Sequence, residues 1–257
     1  MTARHKGVAK LWLLNLFGNV ALMAAVYFWL LLPDAHGWQV AGSALLGLVV
    51  IFCGVWLRTG SFAFFRVAEF RDNAAVWRAF RHALRHILAL AVWLIPLALL
   101  EVGRYWLQQY APQFGVWFWQ KAPALRFGSP RLISHVTAWV LTLLMALLIA
   151  IWLPVASTVA AAGLRPQRMA RSWRLLRRGS YWLWFCALAL LGAYLPYKLV
   201  WWIPDVSTLG KQAWSMGLRF ALAYILLISA WVSLLLVVGD RLSNDDPYIR
   251  QEPSARA

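Results

Sequence analysis

Charge is the scarcest commodity in this 257-residue chain: charged side chains make up 13% of it and hydrophobic ones 62%, against about 25% and roughly 45–50% in ordinary soluble domains. Acidic groups are scarcer still, nine Asp and Glu beside 25 Lys and Arg. Cysteine is limited to Cys53 and Cys186, which fall in different apolar stretches with no CxxC pair and no Cys/His cluster. That spacing speaks against a disulfide or thiolate metal centre, and both read as small buried apolar residues. HExxH, GxSxG, a phosphate-binding loop and paired DxxxD carboxylates are all missing, so no familiar catalytic constellation is present. The chain therefore reads as a protein that is not an enzyme, with no cofactor and no metal site.

What is abundant is long apolar sequence. A bilayer core about 30 Å thick asks for about 20 mostly apolar residues per helix, and six stretches meet that length, roughly 11–32, 40–57, 87–106, 132–161, 181–202 and 216–239. Each is too long and too continuously apolar for the alternating strand of a membrane β-barrel. The fold class expected is all-α, a polytopic membrane bundle of six transmembrane helices over residues 1–240, with a polar cytoplasmic tail at 241–257. Arg4, Lys6 and Lys10 precede the first stretch, whose apolar core exceeds that of a signal peptide, so a retained anchor is expected. The connection 107–131 is rich in Trp, Phe and Pro and is expected to lie at the outer interface or to re-enter the membrane.

The net charge of +16 is unevenly distributed. Six crossings put eighteen of the 25 basic residues on the side of the amino terminus and seven opposite. This asymmetry places both termini in the cytoplasm of a multi-pass plasma-membrane protein, a bacterial inner-membrane protein by expectation. The arginines sit within a few residues of spans, where anionic headgroups compete for them, so no nucleic-acid partner is expected.

Two basic connections, "NAAVWRAFRHALRHILALAVW" and "RMARSWRLLRRGSYWLWFCALAL", align at an offset of 96 residues, with Trp77 on Trp173, Arg78 on Arg174 and Arg81 on Arg177. The same offset lays the second span on the fourth and the third on the fifth, implying paired parallel units. In the first connection Trp77, Phe80, Leu84 and Ile87 recur at helical spacing beside Arg78, Arg81 and Arg85. In the second, Met169, Trp173 and Leu176 oppose Arg171, Arg174 and Arg178, with Arg177 between. Both read as short basic amphipathic interfacial helices, apolar stripe in the acyl boundary and arginines on phosphates. These seven arginines are the candidate contacts to anionic phospholipid or to a membrane protein partner.

"RSWRLLRRGSYWLWF" and "FRDNAAVWRAFRHALRHILAL" resemble the basic segments of bacterial six-span proteins of the YciC-like and glycerophosphodiesterase membrane-domain group. The resemblance spans about residues 61–191 and implies a six-helix inner-membrane protein of unassigned activity. It carries over no catalytic residue, and with no soluble phosphodiesterase domain expected among these 257 residues that activity is not carried over either.

Few polar residues interrupt the spans. Glu101 and Arg104, three apart, are expected to pair near the outer end of the third span. Asn15 and Asn19, one turn apart, are expected to hydrogen-bond between helices. Together these four form the candidate intramembrane polar site. Ser43, Gly47 and Gly54 mark a close helix approach. His82 and His86 stand at i and i+4, a zinc-compatible spacing, but with arginines around them and no further ligand they read as a solvated face. Pro96, Pro154 and Pro196 are expected to interrupt their helices. Three functions follow in order: a non-catalytic membrane component engaging anionic lipid or a partner, a carrier of lipid or a small solute, and last, for want of a catalytic constellation, a lipid-modifying enzyme. A polar cavity lined by Asn15, Asn19, Ser157 and Thr158 would favour the carrier, and a filled bundle the first.

Overall fold

The computed structural model of the chain describes residues 3–33, 36–66, 76–121, 129–204 and 208–244, and every regular element among them is a helix. In chain order they are α1 (Ala3–Leu30), α2 (Gly37–Arg66), α3 (Val76–Ala83), α4 (Ile87–Lys121), α5 (Pro130–Ala162) and α6 (Pro166–Ser172). A 3₁₀ turn (Trp173–Arg177), α7 (Gly179–Ala189), a π-helical turn (Leu190–Tyr194), α8 (Leu195–Trp201) and α9 (Leu209–Asn244) follow. α7, the π turn and α8 run on as one rod, so six helices are long and apolar enough to cross a membrane. The chain is a multi-pass membrane protein of the all-α class.

The rods overrun the spans read from hydropathy. α4 holds 35 residues, about 52 Å at 1.5 Å per residue. Residues 107–121 therefore continue α4 through Pro112, where a separate interfacial or re-entrant segment was expected. Gly115 of this extension packs against the start of α5, near Pro130 and Ser134, and Gln108 Nε2 donates to Thr142 Oγ1 at 3.2 Å. Residues 122–128 lie outside the described residues, as do 245–257 of the expected tail. α9 extends to Asn244 and takes in the first of the tail residues.

The packed core sits at one end. Leu11 and Asn15 of α1, the run from Leu57 to Arg66 of α2, Leu153 to Ala160 of α5, Tyr181 and Phe185 of α7 and the last turns of α9 are largely buried. These are the helix ends that meet the basic connections α3 and α6. The opposite halves expose Phe28, Leu45, Leu99, Leu143 and Leu218. In hydrocarbon an apolar side chain gains nothing by leaving lipid for protein, so close packing depends on small residues, shape and hydrogen bonds. Gly239 provides one such approach: a Cβ there would lie 2.5 Å from the Phe65 carbonyl oxygen and 2.7 Å from Phe65 Cβ. Gly60 provides another, with the Phe80 ring of α3 lying over it.

The internal offset of 96 residues persists in three dimensions. It lays the last residue of α2, Arg66, on the last of α5, Ala162. The buried run beginning at Leu57 falls on the one beginning at Leu153, and buried Ser61 falls on buried Ser157. Both hydroxyls donate back into their own helices, Ser61 to the Leu57 carbonyl at 2.8 Å and Ser157 to the Pro154 carbonyl at 2.7 Å.

The three prolines fall into two settings. Pro96 and Pro154 lie inside uninterrupted α-helices, whereas Pro196 is the second residue of α8, one position past the π turn. Proline has no N–H, so the carbonyl four residues earlier loses its donor. For Pro154 that carbonyl is Ala150, and the buried Tyr181 hydroxyl of α7 donates to it at 2.5 Å. Gly163 ends α5 at φ 71° and ψ −171°, a conformation open essentially to glycine alone.

Candidate functional site: an arginine-rich end and an intramembrane polar cluster

α3 is amphipathic, but its apolar face turns inward. Val76, Ala79, Phe80 and Ala83 are buried, Phe80 lies over Gly60, and Trp56 Nε1 donates to the Phe80 carbonyl at 2.8 Å. Trp77 and Leu84, expected in the acyl boundary with Phe80 and Ile87, are exposed, while Ile87 is buried. The second basic segment is not one amphipathic helix: α6 tightens to 3₁₀ geometry at Trp173, and Arg178 is extended before α7 begins. The tightening rotates the stripe, so Ser172 and Leu175 are buried, Met169 and Leu176 half-buried, and Trp173 exposed. Protein packing fixes both segments because the core ends of α2 and α5 leave apolar surface there to be covered.

Corresponding positions nevertheless match in burial. Ala79 and Leu175 are both 0% exposed, whereas Trp77 at 61% and Trp173 at 50% stand outside. Arg78, Arg81, Arg85, Arg171, Arg174 and Arg177 are exposed, and Arg178 is half-buried. Each segment thus presents a tryptophan followed directly by an arginine, with a second arginine a helical turn further on. Residues 76–121 and 129–204 contain a single carboxylate, Glu101, and it lies far along α4.

His82 and His86 are half-buried against the end of α5, where a solvated face was expected. His82 Nε2 donates to the Ala161 carbonyl at 3.0 Å, the two imidazoles meet edge to face at 5.2 Å, and His86 abuts Gly163. Burial first, then the charges of His82, Arg165 and Arg85, holds His86 below the ordinary histidine value of 6.5. The unfolded chain then takes up a proton that the folded one resists, so this contribution is complete above that value and is lost as pH falls through the folded-state pKa. Tm in detergent should therefore drop between pH 7 and pH 5, and drop less in His86→Asn; equal drops would remove His86 as the cause.

A connected polar cluster joins α1, α2 and α9. Asn15, fully buried, donates through Nδ2 to the Leu11 carbonyl and to Ser61 Oγ, each at 3.0 Å. Asn19 Nδ2 donates to the Asn15 carbonyl at 2.6 Å, and Asn19 Oδ1 accepts from Arg58 Nη2 at 2.8 Å. The Arg58 guanidinium lies over the Trp231 ring, 5.1 Å from its centroid. Tyr224 OH donates to the Leu16 carbonyl at 2.5 Å and Trp12 Nε1 to Ser229 Oγ at 3.1 Å, fastening α9 to α1.

Asn15 and Asn19 thus belong to one site, and its charged member is a residue that the hydropathy reading passed over. Arg58 stands one position beyond the expected end of the second span, at Leu57, and counts there only as a topology charge. The signal was the apolar run resuming after it, "SFAFF", before Arg66. Glu101 and Arg104 are elsewhere. They form a two-point ion pair on α4, with Arg104 Nε donating to Glu101 Oε2 at 2.8 Å and Nη2 to Oε1, and they border a cleft between α4 and α5. Two further clefts lie between α2 and α4 and between α1, α8 and α9. None of the three is lined by Asn15, Asn19, Ser157 or Thr158.

Among the described residues no group of three or more His, Cys, Asp and Glu is placed to hold a metal ion. No protein-family model, no curated protein and no solved structure matches the chain.

Proposed function

We propose that this protein is a non-catalytic component of the bacterial inner membrane that engages anionic phospholipid headgroups along its arginine-rich end, with that end and both termini on the cytoplasmic side. The supporting observation is the twice-repeated exposed Trp–Arg pair on α3 and on the 3₁₀ turn. Both segments are anchored through their apolar residues to the bundle, so their arginines are presented from a rigid support. Tryptophan suits the headgroup layer, and the planar guanidinium fork suits phosphate oxygens. The filled polar cluster around Asn15 supports this reading over a solute carrier, whose path would need polar lining open to water.

The test replaces Arg78, Arg81, Arg174 and Arg177 together with Gln and measures lipid co-purifying from nanodiscs of graded anionic content. Juxtamembrane basic residues contribute about 1 kcal/mol each near an anionic surface, so the variant should lose most of its enrichment for anionic lipid while its Tm changes little. Unchanged enrichment would refute the proposal.

A further inference from the structure

Arg58 is a charge inside a span with no countercharge among the described residues. Among the described residues Asn19 alone accepts a hydrogen bond from it, and no carboxylate touches it. Of the two described acids, Glu101 pairs with Arg104 and Asp240 stands near the end of α9. A guanidinium has five donors, and an ionised group in a span ordinarily meets an opposite charge or polar partners. Here the cluster orients the arginine and occupies one side of it, while the side chain remains partly exposed.

Beside the partners that hold it lies the foot of an apolar groove of about 620 Å³ between α1, α8 and α9, bordered by Val20, Tyr27, Phe220 and Tyr224. Val20 directly follows Asn19, and Leu227 of the groove stands one helical turn before Trp231, whose ring lies under the guanidinium. From this foot the lining rises along α1 from Val20 to Tyr27 and along α9 from Tyr224 to Phe220, away from the arginine-rich end. A positive group at the foot and hydrocarbon above reproduce, in complementary form, the layout of a phospholipid in the leaflet on the arginine-rich side. The volume falls within the roughly 300–1,000 Å³ usual for small-molecule sites.

We propose that Arg58 and the α1/α8/α9 groove form a discrete site for one anionic phospholipid of the surrounding bilayer, its phosphate on the guanidinium and one acyl chain in the groove. The site is separate from the surface arginines and stands or falls without them. It supplies the countercharge that no described residue gives Arg58, and it places a lipid as a wedge against the α1–α9 contact.

The probe is phosphatidylglycerol against phosphatidylcholine of matched chains, titrated into the full-length protein in detergent and counted by native mass spectrometry. In wild type the first phosphatidylglycerol should bind about tenfold tighter than phosphatidylcholine, because both offer a phosphate to the guanidinium but the choline cation of the second repels the arginine and cancels the lipid's net charge. Arg58→Gln should abolish the preference and Arg58→Lys retain part of it. Ala24→Trp, which fills the groove from an exposed position on α1, should weaken the first adduct of both lipids and decides the matter if Arg58→Gln does not fold. The four-arginine surface variant should keep the tight adduct. A preference that survives Arg58→Gln, an adduct indifferent to Ala24→Trp, or a tight adduct lost with the surface arginines alone would each overturn the proposal.

Discussion

Gly239→Leu is expected to abolish assembly of the bundle, with the variant eluting as aggregate in size-exclusion chromatography. At this position α9 crosses α2 so closely that even a Cβ would lie 2.5 Å from the Phe65 carbonyl oxygen and 2.9 Å from its carbon. Those are backbone atoms of a buried helix segment and no rotamer change moves them. Gly239→Ala must already push the two helices apart, at a cost of about 1–3 kcal/mol for overpacking. Leucine adds three carbons to the same contact. Because α9 also carries Tyr224, Ser229 and Trp231, the separation would break the links to α1 and Arg58 together. The graded series Gly, Ala, Leu should show falling Tm in that order; a leucine variant as stable as wild type would mean that α2 and α9 do not cross here.

The second large effect belongs to Tyr181. Tyr181→Phe keeps the ring and removes only the hydroxyl that serves the Ala150 carbonyl. An unsatisfied buried acceptor costs about 1–3 kcal/mol, so thermal unfolding should shift downward with little change in packing. The origin of the orphan carbonyl supplies a sharper check. Pro154→Ala restores an N–H four residues beyond Ala150, which can close the ordinary helical bond. In that background Tyr181→Phe should cost much less, giving a coupling of about 1 kcal/mol or more between residues 27 positions apart in sequence. Additive losses would show that the proline and the tyrosine act independently.

The repeat shows how sequence and structure divide the information. The match of Trp77 with Trp173 and Arg78 with Arg174 was visible in the residues, and their common exposure follows it. The expected stripe is divided: Phe80 and Ile87 are buried in protein, while Trp77, Leu84 and Trp173 stay on the surface. Spacing alone favoured Trp77 and Leu84 over Val76 and Ala79, because large apolar side chains outweigh small ones in any periodicity. The small ones are buried because α3 comes down on Gly60, where bulk does not fit. In the second copy the change to 3₁₀ geometry at Trp173 alters the turn angle per residue, and no α-helical projection carries across it.

The candidate sites divide along the same line. Glu101 with Arg104 is a contact within one helix turn, set by spacing alone. Asn15 and Asn19 were legible as bonding residues, but not their partners Ser61 and Arg58, which lie 46 and 39 residues away. Tyr181 and Ala150 were not legible at all.

Taken by itself, the sequence determined six membrane-spanning helices, the end of the bundle that carries the positive charge, and the existence of two related basic segments. These depend on local quantities: a run of about 20 apolar residues, and charge counted beside it. Tertiary structure alone decided that the core gathers at the arginine-rich end, that Arg58 is held by Asn19 over Trp231, and that Tyr181 repairs the break made by Pro154. A helix that is apolar all round has no polar stripe to show which side meets protein and which meets lipid. The choice falls to where glycines admit a neighbour and where stranded polar groups find one another, and that register exists only once the helices are packed.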